Sequence, residues 1–268
     1  MNETLTRLLS GVVYVALLLL ATTYSTNSFF ILFGVFLLIT IYEFCELINL
    51  EKILPILLGG LAFYFGTQYK TNKTNDILLL IASLFVSIKA LLLLFNTKKE
   101  KIDGISKYIY LIGYVIIPFL LLIKIPFGIK GYNPKIIISI FILIWTNDTF
   151  AYIVGKSIGK HKLLEKISPK KTIEGFFGGL LFCVLASVLI SKYYIGASAT
   201  YIWIIIALIV SVFGTLGDLI ESKFKRMAGV KDSGKIMPGH GGILDRLDSV
   251  IFVAPFVFLF YQILYYVS

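Results

Sequence analysis

Residues 217–248 hold Asp218, Glu221, Ser222, Lys225, Arg226, Lys231, Asp232, Pro238, His240, Gly241, Gly242, Asp245, Arg246 and Asp248. On a helix, Asp218, Glu221, Ser222 and Lys225 fall at i, i+3, i+4 and i+7 and share one face, as do Asp245 and Asp248. Two carboxylate clusters entering one pocket suit Mg²⁺, a hard cation bound by one or two carboxylates together with substrate phosphates. Between them, residues 238–242 have too little Cβ for a stable helix. Gly241 and Gly242 could let backbone N–H groups approach an anion closely. His240 can be read as a structural hydrogen-bonder or as a participant.

A second acidic position is Asp148, in the run Trp145-Thr146-Asn147-Asp148-Thr149-Phe150-Ala151-Tyr152. An intramembrane carboxylate costs about 2.5–3.5 kcal/mol on insertion scales, so its default reading is functional. The alternative is a polar helix contact made by Asn147 and Asp148. Downstream, Lys156 to Lys166 read as ordinary inward-facing charge, whereas Ser168-Pro169-Lys170-Lys171-Thr172 joins a turn to a helix start at Glu174-Gly175. Backbone donors there, with Lys170 and Lys171, could clamp a phosphate. Zinc is not expected, because His161 and His240 are the only histidines and Cys45 and Cys183 lie in apolar runs. Both cysteines read as small buried hydrophobes rather than as a disulfide pair.

The elements that must position these residues are set by composition. The chain of 268 residues is 58% hydrophobic and only 15% charged, where a soluble domain carries about a quarter charged residues. It reads as an all-α polytopic membrane protein, one integral membrane domain over 1–268, with N-terminal helices in 1–125 and catalytic helices and loops in 135–268. Nine spans are expected near 8–24, 28–48, 52–69, 76–95, 108–125, 135–155, 174–195, 201–221 and 249–267. The first is expected to be retained as a span rather than cleaved as a leader. The glycine pairs Gly155/Gly159, Gly175/Gly179 and Gly178/Gly179 permit close helix packing.

With the N-terminus inside, 18 of the 25 Lys and Arg residues fall on the cytoplasmic side and six near the other. This bias places the N-terminus in the cytoplasm and, with nine spans, the C-terminus outside. It also accounts for much of the +10 net charge, so no nucleic-acid partner is implied. In this orientation Asp148 lies about two turns before its span's cytoplasmic end. Asp218, Glu221, Glu43, Glu46 and Glu174 lie at the same surface, so the acidic residues share one level.

The run Ser222-Lys223-Phe224-Lys225-Arg226, Lys231-Asp232, Ser233-Gly234 and Pro238-Gly239-His240-Gly241-Gly242-Ile243-Leu244-Asp245-Arg246-Leu247-Asp248 spans 27 residues. It resembles the signature of the phosphatidate cytidylyltransferase (CDP-diacylglycerol synthase) family. Asn147-Asp148 through Tyr152 and 168–175 look like two further marks of that family, and Glu43-Phe44 is the one echo in the first half. Met237 is a mild departure.

The resemblance implies transfer of a cytidylyl group from CTP to phosphatidic acid with release of pyrophosphate. It further implies Mg²⁺, with a monovalent cation such as K⁺ sharing the centre, a homodimer, and a bacterial inner-membrane location with the site facing the cytoplasm. Asp218 and Asp245 would be the metal ligands, and Asp148, Glu221, Asp232 and Asp248 would support them. Lys225, Arg226, Lys231 and Arg246 would hold the triphosphate, and Lys170 and Lys171 would approach from the other loop. Ser222, His240, Gly241 and Gly242 complete the expected substrate contacts. The rival readings are a transporter using intramembrane carboxylates, a CTP-dependent lipid kinase and a related cytidylyltransferase with another acceptor.

Overall fold

A computed structural model describes residues 3–68, 73–96, 102–128, 131–196 and 199–267. Five of the basic residues used for orientation, Lys70, Lys98, Lys99, Lys101 and Lys130, lie outside the described residues. The helices are α1 (Glu3–Tyr24), α2 (Thr26–Leu47), α3 (Ile53–Gln68), α4 (Lys73–Phe95), α5 (Gly104–Tyr110), α6 (Ile117–Leu122), α7 (Pro134–Ile158), α8 (Ile173–Leu189), α9 (Thr200–Met227) and α10 (Leu244–Val267). A π-helical turn at Leu111–Ile116 joins α5 to α6, and another at Ile190–Ile195 extends α8. Two short antiparallel hairpins pair Phe127–Gly128 with Gly131–Tyr132, and Lys162–Leu164 with Ser168–Thr172.

Local sequence explains the helix starts. Ser25 and Ser28 exchange side-chain and backbone hydrogen bonds ahead of α2. Asn133 caps α7 with Pro134 in its first turn, and the Thr172 hydroxyl accepts from Gly175 N at the start of α8.

Among the described residues, eight helical stretches are long and apolar enough to cross a membrane, and the chain is an integral membrane protein of all-α type. The ninth expected span, 52–69, is the 16-residue helix α3, about 24 Å long. It runs antiparallel to α2, with Gly59 facing Ile41 and Phe63 facing Gly34. Outer faces are apolar stripes: Phe177, Leu181, Leu185 and Leu189 recur every four residues along α8, each more than half exposed.

Helix boundaries differ from expectation where charge is concentrated. The 201–221 span continues as α9 to Met227, and the 249–267 span begins five residues earlier, at Leu244. Ion pairs between helices give these polar turns partners, so the helix need not stop where apolarity does.

Side-chain bonds sort the connecting segments onto two ends of the bundle. At one end Lys107 reaches Asn49 O (2.7 Å), Lys223 reaches Asn96 O (2.7 Å), Arg226 reaches Ile167 O (3.4 Å) and Ser10 reaches Pro238 O (2.9 Å). At the other, Tyr132 Oη reaches Thr22 O (2.7 Å), Lys135 reaches Tyr194 O (3.0 Å), and Lys124 pairs with buried Asp76. The expected cytoplasmic segments thus gather together, as do the expected outer ones.

α7, α8, α9 and α10 form the tightest group, and glycines set its spacing. A Cβ on Gly179 would come within 2.7 Å of Asn147 O, and one on Gly175 within 2.6 Å of Ala151 O. On α9, a Cβ at Gly217 would meet Asp248 O at 2.8 Å. These approaches bring the neighbours of Asp148, Asp218 and Asp248 into register.

Candidate active site

Lys225, on α9, stands between the two carboxylate clusters. Its ammonium pairs with Glu221 one turn back and lies 2.7 Å from Asp245 Oδ1 on α10. Asp218, one turn before Ser222, accepts from the Ser222 hydroxyl (3.2 Å) and pairs with Lys171 Nζ at 2.7 Å. Burial increases along Ser168–Thr172 toward the start of α8: Lys170 is exposed, Lys171 is half-buried against Asp218, and Thr172 is buried. Asp248 is buried and accepts from Ser249 N (2.7 Å).

Asp148 faces a cavity of about 210 Å³ between α1, α7 and α10, whose lining includes Tyr14, Asp148, His240, Asp245, Arg246 and Asp248. It accepts a long bond from Asn147 Nδ2 (3.4 Å), and Asn147 in turn accepts from the Ser211 hydroxyl (2.7 Å). The two neighbours thus face different surroundings. Asn147 makes the helix contact, and Asp148 opens to the cavity.

The glycine loop is tightly wound. Gly239 and Gly241 have φ of +75° and +90°, a region that side chains with a Cβ rarely enter. The N–H groups of His240, Gly241 and Gly242 are engaged by the protein's own acceptors. Gly242 N and Ser233 N donate to Asp245 Oδ2 (2.7 and 2.9 Å), and Gly241 N donates to Met237 O (3.1 Å). Arg246 reaches His240 O (3.1 Å), and Ser10 Oγ lies 2.7 Å from His240 Nδ1. His240 is held below its ordinary pKa of 6.5, first by burial and then by the charges of Arg246 and Arg7.

Several expected site residues lie apart from the carboxylates. Arg226 is exposed and ties Ile167 O to Val230 O. Lys231 lines a second cavity of about 830 Å³ with Tyr42, Glu46 and Lys235, whereas Asp232, on the same lining, adjoins Asp245 across Gly241. Glu174 turns away from the cluster to accept from Lys160 N (3.0 Å) and to pair with His161 Nδ1 (2.6 Å).

Three side chains in this region escaped sequence reasoning. Ser10 and Tyr14 come from α1, which nothing in their types links to the 217–248 segment. Tyr114, in the π-helical turn, is buried within electrostatic reach of Glu221, Asp248 and Asp218. Tyr114 sits in an apolar run that carries no sequence mark of its role, and only the folded chain reveals the π turn that holds it.

The site's carboxylates are of the oxygen-donor type that a hard cation takes. Asp148, Asp218, Glu221, Asp245 and Asp248 outnumber the ammonium groups of Lys171 and Lys225 that pair with them. Glu221 is buried, and its charge is met by the Lys225 ammonium that Asp245 also uses, so one cation serves two carboxylates. Among the described residues no three Asp, Glu, His or Cys side chains are placed to hold a metal ion together; Lys171 pairs with Asp218 and Lys225 with Asp245.

Fold and site define a polytopic membrane protein with a mixed acidic and basic centre at one end of its helices. The cytidylyltransferase family model matches residues 5–264, and the chain belongs to that family. It is 39% identical over 219 residues to a phosphatidate cytidylyltransferase of Staphylococcus saprophyticus, covering 78% of this chain and 82% of that one. Phosphatidate cytidylyltransferases of Staphylococcus aureus and Staphylococcus epidermidis are 56% and 50% identical over 121 residues. In these the match spans 46% of the relatives' length, and 44% and 45% of this chain.

Proposed function

We propose that the protein transfers the cytidylyl group of CTP to phosphatidic acid, making CDP-diacylglycerol and pyrophosphate. The observation that carries this reading is the meeting of Lys171, from one loop, with Asp218, and of Lys225 with Asp245 from another. Family membership and the names of the relatives supply the substrates.

A phosphate oxygen of phosphatidic acid bonds to Pα of CTP, the bond from Pα to the bridging oxygen breaks, and pyrophosphate leaves with the electron pair. The nucleophile is already ionised, so the chain need not supply a strong base. What opposes reaction is repulsion between anions, which fixed cationic groups offset. Lys171 and Lys225 can exchange carboxylate for phosphate partners, and Arg246 stands at the cavity that Asp148 faces. Lys231, beside the larger cavity, and Lys170 and Arg226, on the exposed surface, suit approach of the triphosphate from water. Mg²⁺ would be held by Asp218 and Asp245, supported by Asp148, Glu221 and Asp248 and joined by a monovalent cation such as K⁺. When bound it supplies Lewis-acid charge neutralisation.

The positive-inside bias supports a cytoplasmic site, with the N-terminus inside and the C-terminus outside, in a bacterial inner membrane. The working unit is a homodimer, a reading that rests on the family alone.

Full-length protein in mixed micelles with phosphatidic acid and Mg²⁺ tests the reaction. Label from the α-phosphate of CTP should enter lipid, with release of pyrophosphate. Label entering from the γ-phosphate instead would make the protein a lipid kinase, and no transfer from either position would sink the reading.

A further inference from the structure

We infer that Glu43, in the N-terminal half of the chain, is the positioning residue that fixes Asp245 for the reaction. The inference rests on the function proposed above. Glu43 is 1% exposed and lies on α2, some two hundred residues away in sequence from the groups it holds. Its Oε1 accepts from Ile243 N (3.1 Å), and its Oε2 accepts from Leu244 N (2.8 Å) and, at 3.5 Å, from the Ser233 hydroxyl. These two amides begin α10, where the helix dipole favours a carboxylate.

Asp245 takes the adjoining donors, Gly242 N and Ser233 N, and keeps its other oxygen for Lys225. Glu43 and Asp245 thus divide one set of backbone donors between them. The fit is close: a Cβ on Gly234 would meet Glu43 Cδ at 2.8 Å, and one on Gly242 would meet Glu43 Oε1 at 2.6 Å. Both glycines are explained by the side chain that passes between them. Without the second carboxylate, Ile243 N and Leu244 N would be left to compete for Asp245, which would turn from Lys225 and from the cavity. A misplacement of about 1 Å in such a group can cost about 10²-fold in rate.

The test is Glu43→Gln in the full chain, an isosteric change that replaces one acceptor oxygen with an NH₂ group. Asp76→Asn, which breaks the buried pair at the opposite end of the bundle, is the comparison for lost stability alone. With α-labelled CTP and phosphatidic acid, Glu43→Gln should lower kcat about 10²-fold and leave KM for CTP within about threefold. Hydrogen exchange should show lost protection at residues 243 and 244. Asp76→Asn should lower the thermal midpoint with kcat per folded molecule unchanged.

Turnover of Glu43→Gln within about twofold of the unchanged chain, or activity lost only in proportion to folded protein in both variants, would overturn the inference. If the unchanged chain itself transfers no cytidylyl group, the functional reading fails. The exchange measurement then still decides whether Glu43 holds the start of α10, and unaltered protection there overturns it.

Discussion

Asp218 and Asp245 do different structural jobs although both are expected to meet the cation. Asp218 is a third exposed, with Lys171 and Ser222 as partners, so Asp218→Asn should retain the fold. Its cytidylyl transfer should fall by about 10²-fold or more, and retained turnover would remove the residue from the reaction. Lys225 is more deeply structural. Replacing it with Met leaves Glu221 and Asp245 without their shared cation, which should cost about 3–5 kcal/mol, read as a lowered thermal midpoint. His240 adds a pH dependence. Because its folded pKa is lowered, the neutral ring contributes stability that is complete above 6.5 and is lost as pH falls through the lowered value. The thermal midpoint of the unchanged protein should therefore decline below about pH 6.5, and His240→Gln should flatten that decline.

Between elements, the α7–α8 contact is exacting because backbone meets backbone. Gly179→Ala places a Cβ 2.7 Å from Asn147 O, and overpacking of this kind costs about 1–3 kcal/mol. The expected result is a lower thermal midpoint together with slower turnover, since Asn147 neighbours Asp148. This contact was readable from glycine spacing. The hairpin that delivers Lys171 was not, because Ser168–Thr172 is too short and polar to show an alternating pattern before its partner strand is known.

At the scale of the whole molecule, the described connecting segments joined by side-chain bonds are joined to others expected on the same side. Both native cysteines are buried, so introduced ones report topology without background. Cysteines at Lys52, Lys107 and Lys231 should react with an impermeant reagent added from the cytoplasmic side, and those at Lys135 and Lys192 from the opposite side. Labelling of Lys107 and Lys192 from the same side would break the assigned order of spans. The same experiment asks whether α3, short for a bilayer of about 30 Å, crosses it.

Apolar run length and low charge content were enough to define a helical membrane protein. Both depend on local composition against a fixed solvent thickness. The 217–248 motif was legible because its residues are adjacent in sequence, and helical spacing alone puts Asp218 beside Ser222. The Glu43–Leu244, Lys171–Asp218 and Ser10–His240 contacts depend on which helices pack together. A glutamate in an apolar run announces that it needs partners, but only the folded chain supplies their identity, because hydrogen-bond donors are interchangeable until geometry selects among them.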